Sequence, residues 1–426
     1  MRSRNSGARG ALVLAMMVGT SLLMSGCTPA LAGRPQIDAP FSADITDRLD
    51  AALIDAIALS GSSGAVAGVW APWAGHWVAS PGTTTINGAV PLRTDMRFRI
   101  GTNTTAMTCT VLLRLVDEGR VALSDPVSTY LNHVVGVGDI TLGQLCQNTS
   151  GLPDTSAALT AQFVSNPTRQ WPPMELVSNS LAGARLTAPG GAWAHSDTGI
   201  VLLGMALQAA TNQDWASLYR QYLFDPLDLN DTSFPAATEL EIPGPHPHGY
   251  ATALTATGQM VCESLYDDTT LSTSLSGVAG GIISTLDDMK IWTQALADGR
   301  LLSSTSTKAQ WAAGPRGTDL PSWQNHGLGT EQFGPLRGHG GTIPGFISAT
   351  LSDPTSGLTV VIMLNNSSAG GAFAQTLARR LATIASTAPA APTATVPPST
   401  LPWSEEQTVT TLQATAVCQL PAAPVR

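Results

Sequence analysis

The stretch FRIGTNTT at residues 98–105 leads directly into an apolar run with helical spacing. Leu112, Leu115 and Val116 recur three and four positions apart, and Gly119 ends the run. This pattern predicts an amphipathic helix whose first turn carries the threonines of the quoted stretch. Hydroxyl groups at a helix N-terminus lie where the helix dipole favours developing negative charge, so the stretch is a candidate for nucleophilic chemistry.

Four other stretches accompany it in a fixed order along the chain. They are LGQL at 142–145 leading to NTSGLP at 148–153, PGGAWAHSDTG at 189–199, AGGIISTLDDM at 279–289, and GHGGTIPGF at 338–346. Together the five resemble the serine β-lactamase and penicillin-binding-protein superfamily, in its branch of class C β-lactamases, D-Ala-D-Ala carboxypeptidases and esterases. The resemblance covers about residues 45 to 385.

The resemblance implies an α+β fold, in which an antiparallel sheet formed by both chain ends is flanked by helices and a helical subdomain is inserted. Local patterns agree with this architecture. They predict helices at 47–59 and 372–383, strands at 64–70, 77–80, 347–353 and 358–364, and helix and loop with scattered Pro and Gly through 103–330.

The family's catalytic machinery is degenerate in this sequence. The family uses a serine and a lysine three residues apart on one helical face, but these positions hold Thr102 and Thr105. The two lysines of the chain, Lys290 and Lys308, do not follow a serine at that spacing. The family's Tyr-x-Asn motif is replaced by His195 and Asp197 around a serine. The sequence therefore predicts that the family's acylation chemistry is lost.

The last motif is better preserved. His339, Gly340 and Gly341 match several family members, and the resemblance implies that the backbone N–H of Thr342 belongs to the oxyanion hole. Such donors can hold a carbonyl or carboxylate even without turnover. We therefore expect His339 and Thr342 to border a substrate cleft.

Three functional hypotheses follow from these residues. The first is a pseudoenzyme whose cleft binds a peptidoglycan peptide or a partner protein. The second is a rewired hydrolase, an esterase or carboxypeptidase in which His195 acts as a base on Thr102 and Asp197 orients it. The third is a metal site formed by His195, Asp197 and His339. The resemblance itself implies no cofactor and no metal.

Composition excludes several other classes. The chain has 426 residues, of which 43% are hydrophobic and 12% are charged, so it can bury a full core and is not intrinsically disordered. Its formal net charge is −9 and it contains no basic run, which argues against nucleic acid as a partner.

The N-terminus predicts export and a lipid anchor. A cationic start and an apolar stretch are followed by MSGC at 24–27, which resembles a bacterial lipobox. Lipid on Cys27 would hold the protein on the outer face of the cell membrane. An ordinary secretory peptide with a chance cysteine is the alternative. The expected organisation is a signal peptide at 1–26, a tether at 27–44, the family domain at 45–385, a Pro/Ala/Thr-rich linker at 386–402 and a C-terminal tail at 403–426.

The other four cysteines would then lie in an oxidising compartment. Four cysteines allow three pairings, which spacing does not distinguish. We favour Cys109–Cys146 with Cys262–Cys418, because the first two fall in adjacent helical segments. Four buried free thiols are the alternative.

Overall fold

A seven-stranded antiparallel sheet joins the two ends of the chain in the computed structural model. The structure describes residues 37–255, 259–315, 320–392, 394–397 and 400–418. The strands are β1 Ala65–Ala71, β2 Gly75–Ala79, β3 Phe98–Arg99, β4 Tyr250–Leu254, β5 Met260–Asp267, β6 Ile283–Ser284, β7 Gln324–His326, β8 Glu331–Phe333, β9 Leu336–Ile343, β10 Phe346–Ser352 and β11 Thr359–Leu364. The large sheet has the order β2-β1-β11-β10-β9-β8-β7, so strands from the start of the fold pair with strands from its end.

Helices cover both faces of this sheet and fill the middle of the chain. They are α1 Ala43–Ser60, α2 Asn103–Asp117, α3 Leu142–Cys146, α4 Thr155–Ser165, α5 Pro173–Leu181, α6 Asp197–Thr211, α7 Trp215–Tyr219, α8 Asp225–Leu227, α9 Leu286–Asp298, α10 Ser304–Gln310, α11 Gly370–Ser386 and α12 Glu405–Ala414. The α+β fold class expected from the sequence is confirmed.

Two apolar clusters explain why the central strands are apolar on both faces. Every residue of β1, β10 and β11 is buried. One cluster lies between the sheet and the terminal helices, with Leu49 of α1 and Leu377 of α11 packed on one face. The other contains Met363 of β11 and the apolar side of α2, including Leu112. The site lies beside this second cluster, at the start of α2.

The secondary structure predicted from the sequence was incomplete in the middle of the chain. The predicted helix and loop region at 103–330 also contains a β-hairpin, in which β4 pairs with β5. Most residues of β5 are exposed, so it lacks the alternation of apolar and polar residues that predicts a half-buried strand. The short strands β3 and β6 also pair, and they fix the chain just before α2.

The boundaries expected at the two ends of the domain differ from those in the structure. Helix α1 begins at Ala43 and Phe41 is buried, so the end of the predicted tether belongs to the fold. In the predicted linker, Ala388 and Leu401 pack against the terminal cluster rather than extending freely. The predicted tail is also part of the fold: the side chain of Trp403 is buried, and helix α12 follows it.

Two disulfides join distant parts of the fold, in the pairing favoured from the sequence. Cys109 of α2 is bonded to Cys146 of α3, with their Cα atoms 5.8 Å apart. Cys262 of β5 is bonded to Cys418 in the tail, with a Cα separation of 5.3 Å.

In the ranges given above, no helix has both the length and the apolar composition that a membrane span requires. The predicted signal peptide and the predicted lipidation site, Cys27, lie outside the described residues.

Candidate active-site cleft

The hydroxyl of Thr102, at the N-terminus of α2, is held by the backbone of β9. It donates a hydrogen bond to the carbonyl oxygen of Gly340 at 3.1 Å and accepts one from the N–H of Thr342 at 3.2 Å. No side-chain nitrogen of the described residues forms a hydrogen bond with it. The predicted oxyanion-hole donor therefore faces the predicted nucleophile, but that nucleophile has no base beside it.

Two glycines allow β9 to approach the start of α2 this closely. Gly101 has a φ of 55°, in the left-handed region, and a Cβ there would lie 2.6 Å from the backbone of Thr342. A Cβ on Gly341 would lie 2.0 Å from the carbonyl oxygen of Ile100. Any larger residue would push the strand away from Thr102.

Thr105 takes the place that the family gives to lysine, but its side chain is buried and turned to the backbone. Its Oγ1 donates a hydrogen bond to the carbonyl oxygen of Ala279 at 3.2 Å. In the same turn, the amide of Asn103 donates to Oγ of Ser348 at 2.8 Å. The first turn of α2 is thus fixed by neutral hydrogen bonds and supplies no amine to activate Thr102.

His195 and Asp197 form an ion pair at the start of α6. Between them, Ser196 caps the helix by accepting a hydrogen bond from the N–H of Gly199, and its own N–H donates to the side-chain oxygen of Asn148 at 3.0 Å. These bonds leave the two flanking side chains facing the cleft, where His195 Nε2 lies 3.2 Å from Asp197 Oδ1.

This environment changes the chemistry of the histidine. Burial by itself lowers the pKa of His195, although 43% of the side chain remains exposed. The charge and hydrogen bond of Asp197, together with the charges of Asp154 and Glu331, outweigh burial and raise this pKa to about 9. At neutral pH the ring is therefore protonated, and a protonated imidazole cannot accept the proton of Thr102.

Strand β9 and its neighbours form the opposite wall of the cleft. Glu331 of β8 accepts hydrogen bonds from the N–H of Gly340, at 3.0 Å, and from the side-chain amide of Gln375 in α11. His339 turns its Nδ1 to the carbonyl oxygen of Gly340 at 2.5 Å. This imidazole is thus bonded to the backbone of its own strand.

His326 of β7 closes the wall and stacks on Trp193. Their ring centroids are 4.0 Å apart and the rings are nearly parallel. Burial lowers the pKa of His326, and the neighbouring rings of His339 and His195 lower it further, while Glu331 opposes them. His326 Nδ1 lies 3.9 Å from a carboxylate oxygen of Glu331, and its Nε2 is buried without a hydrogen-bond partner.

These side chains line a cavity of about 440 Å³, which is the size of a small-ligand site. Apolar side chains such as Phe163, Leu275 and Ile343 cover part of its wall. Among the described residues that line it, none is Lys or Arg. The polar lining consists mainly of Thr102, Asn148, His195, Asp197, His326, Glu331, His339, Thr342, Ser367 and Gln375.

Most of the residues predicted from the sequence meet in this cavity. Those that line it are Thr102, His195, Asp197, His339, Gly340 and Thr342. Thr105 and Gly341 lie behind it: the Thr105 hydroxyl is bonded to the backbone of Ala279, and Gly341 lies close to the carbonyl group of Ile100.

The group of potential metal ligands in the structure differs in one member from the set hypothesised from the sequence. The structure groups Asp154 with His195 and Asp197, while His339 is bonded to its own strand. Asp154 directly follows the NTSGLP motif, so its position offered a signal. Glu331, on a strand of three residues, offered none.

Comparison with known proteins agrees with this geometry. The family model described as Beta-lactamase matches residues 50–384. The chain belongs to the β-lactamase family. It is 29% identical over 225 residues to the D-alanyl-D-alanine-carboxypeptidase/endopeptidase AmpH of Escherichia coli, an alignment that covers 51% of this chain and 57% of AmpH. The chain thus spans less than two thirds of this curated relative.

Two solved structures share most of the fold of this β-lactamase-family chain. A D-stereospecific amidohydrolase from a Streptomyces species is 28% identical, with a TM-score of 0.66 over 75% of this chain and 94% of that one. The D-amino acid amidase of Ochrobactrum anthropi SV3, in complex with L-phenylalanine, is 25% identical, with a TM-score of 0.64 over 76% and 92% of the two chains.

Proposed function

We propose that this chain is a non-acylating member of the β-lactamase family that binds peptides ending in D-amino acids. It would do so on the outer face of the bacterial membrane, held there by lipid on Cys27. The observation that carries the proposal is the environment of Thr102, whose hydroxyl is hydrogen bonded to the backbone of β9 and to no base.

The size of the catalytic loss supports this proposal. Removing a nucleophile or its base from a comparable hydrolase costs about a millionfold in rate, or about 8 kcal/mol of barrier. The extra methyl group of a threonine also restricts its side-chain rotamers, and an internal residue has no α-amine to act as base. Thr105 offers only a hydroxyl that is bonded to Ala279.

The ligand class is proposed from the cleft and from the relatives. The N–H of Thr342 would donate to a ligand carbonyl or carboxylate once Thr102 turns away. Trp193 and Phe163 supply apolar contact area. The names of AmpH, of the D-stereospecific amidohydrolase and of the D-amino acid amidase all refer to D-configured compounds or to D-stereospecificity. This favours a D-configured peptide terminus, such as that of a peptidoglycan stem peptide, as the ligand.

Covalent labelling tests the loss of acylation. We expect the purified protein to show no mass increase with a labelled penicillin, because no amine activates Thr102. The positive control is the double variant Thr102→Ser with Thr105→Lys, which restores the family's pair at the start of α2. A stoichiometric adduct on the wild-type Thr102, seen by intact-mass spectrometry, contradicts the proposal.

Titration calorimetry tests the ligand. A peptide ending in D-alanyl-D-alanine should bind, and its L-alanyl-L-alanine counterpart should bind more weakly. Trp193→Ala should weaken binding about tenfold or more because it removes a cavity wall. Trp311→Ala, which removes a ring that contacts Arg337 away from the cavity, is the matched control. Equal affinity for the two peptides would contradict D-specific binding.

A rewired hydrolase is the second candidate. It is favoured by one observation, the ion pair of His195 and Asp197 in the cavity that Thr102 also lines. The high pKa of His195 limits this reaction to alkaline pH.

The anchor is tested separately. Cys27→Ala should release the protein from the membrane fraction and abolish the incorporation of labelled fatty acid. Unchanged fractionation of the variant would refute the lipid anchor and would leave the proposed cleft chemistry unaffected.

A further inference from the structure

Three potential ligand atoms converge at one end of the cleft. One atom each from Asp154, His195 and Asp197 lies within 4.8 Å of the others. The group is built by the backbone, because the N–H of Asp197 donates to Oδ1 of Asp154 at 3.1 Å and so joins the residue before α4 to the first residue of α6. Imidazole nitrogen and carboxylate oxygen are ligands for zinc and related divalent metals.

A fourth group points independently to a bound ligand. The His326 side chain is only 6% exposed, it lines the same cavity, and its Nε2 has no hydrogen-bond partner. Its other nitrogen faces Glu331, and its ring interacts electrostatically with His195. A buried ring nitrogen without a partner is costly unless something in the cavity binds it.

The charge balance of the cleft also favours a cation. Two carboxylates, Asp197 and Glu331, line the cavity, and Asp154 lies beside it. The proton on His195 offsets one of these charges, and a metal ion bound at Nε2 would displace that proton. No Lys or Arg occurs among the described lining residues. The position that the family gives to lysine holds Thr105, whose hydroxyl is neutral and bonded to the backbone of Ala279.

We propose that the cleft binds one divalent transition-metal cation, of which Zn²⁺ is the best fit, through His195, Asp197 and Asp154. The 3.2 Å between His195 Nε2 and Asp197 Oδ1 suits two ligands that each lie about 2.0–2.1 Å from one ion. The three ligand atoms all lie within 4.8 Å of one another, so rotation of the carboxylate side chains is enough to bring them around one ion. His326 supplies a further nitrogen for the ion or for a water molecule on it.

The metal-free protein tests this site. After treatment with a chelator, titration with Zn²⁺ should show one equivalent bound, and Co²⁺ should give the visible absorption of a low-coordinate site. His195→Ala and Asp154→Asn should each weaken Zn²⁺ binding at least tenfold, because each removes a ligand. Circular dichroism checks that both variants are folded.

The chain offers a matched control in a second histidine–aspartate pair. His248 Nδ1 lies 2.6 Å from Asp267 on the surface, away from the cleft. His248→Ala should leave Zn²⁺ binding unchanged. If His195→Ala binds Zn²⁺ as the wild type does, or if His248→Ala causes the larger loss, the proposal is wrong. Penicillin labelling does not depend on this outcome, so the site and the proposed function fail separately.

Discussion

The protonation of a single histidine decides whether the cleft can carry out hydrolysis. A general base must be neutral, and the pKa of His195 is raised to about 9 by Asp197, Asp154 and Glu331. Any ester hydrolysis through the Thr102 hydroxyl should therefore rise from pH 7 towards pH 9. The measurement is the pH–rate profile of a small activated ester with the wild type and with His195→Gln.

His246, which is hydrogen bonded to the carbonyl oxygen of Gly244 in an exposed loop, is the matched control. His246→Gln should keep the wild-type profile. A rate that peaks near pH 6.5, or one that is the same in His195→Gln, would rule out His195 as the base.

Outside the cleft, the charge of the buried residue Asp268 affects the free energy of unfolding. Asp268 is 1% exposed and neither carboxylate oxygen has a hydrogen-bond partner, so burial, together with the charge of Asp267, raises its pKa to about 8. In the unfolded chain this group ionises near pH 4. Folding is thus opposed increasingly from pH 4 to pH 8, and the penalty is absent below that window.

Asp268→Asn removes this penalty while keeping the shape of the side chain. At pH 7 the variant should be more stable than the wild type by at most about 4 kcal/mol, from three pH units at 1.36 kcal/mol each. Urea unfolding at pH 4.5 and pH 7 measures the difference, which should shrink at the lower pH. Glu263→Gln, at an exposed position of β5, should show no comparable gain. A gain that is equal at both pH values would contradict the explanation.

At the scale of the elements, the contact between α2 and β9 depends on Gly101. Gly101→Ala adds both left-handed strain and a clash with the backbone of Thr342, and should cost more than about 3 kcal/mol. Gly119 is the matched control, because its φ is 68° and a Cβ there meets nothing within 4 Å. Gly119→Ala should cost only about 1 kcal/mol.

Thermal unfolding compares the two variants, and peptide titration shows whether the cleft changes with Gly101. If the two variants are equally stable, the close approach of β9 does not constrain the fold.

The elements also show what sequence patterns can predict. Helix α11 and strands β10 and β11 lie within one to three residues of their predicted bounds, because both faces of these strands are buried and the helix has a regular apolar side. The hairpin β4–β5 was missed because its outer strand is mostly exposed and has no such pattern. The periodicity of apolar residues reflects which side chains are buried, and few side chains of β5 are buried.

Some of the cleft residues could be predicted from the sequence and others could not. Thr102, His195 and His339 were found because each lies in a stretch that resembles a family motif. Glu331 is held in the cleft by hydrogen bonds from Gly340 and Gln375. Its position therefore depends on tertiary contacts and not on a local motif. No local sequence pattern predicts these contacts, and none predicts that His326 Nε2 lacks a hydrogen-bond partner.

At the scale of the whole molecule, the Cys262–Cys418 bond fixes the C-terminal tail to the middle of the chain. It joins residues 156 positions apart. In the chain-entropy account, a cross-link that closes so long a loop stabilises the fold by up to about 5 kcal/mol, because it restricts the unfolded chain. Cys262 is exposed, so its replacement removes little packing. The double variant Cys262→Ser with Cys418→Ser should therefore lose stability mainly through the unfolded state.

Urea unfolding of this double variant should show a loss of a few kcal/mol and a tail that is cut more readily by protease. The other disulfide is the control, because Cys109–Cys146 spans 37 positions and its loop entropy is about 1 kcal/mol smaller. Both of its cysteines are fully buried, so their replacement adds a packing cost that is smaller at Cys262, which is exposed, and at Cys418, which is half-buried. A double variant at 262 and 418 that is as stable as the wild type, with its tail still protected, would mean that Trp403 and α12 hold the tail through packing alone.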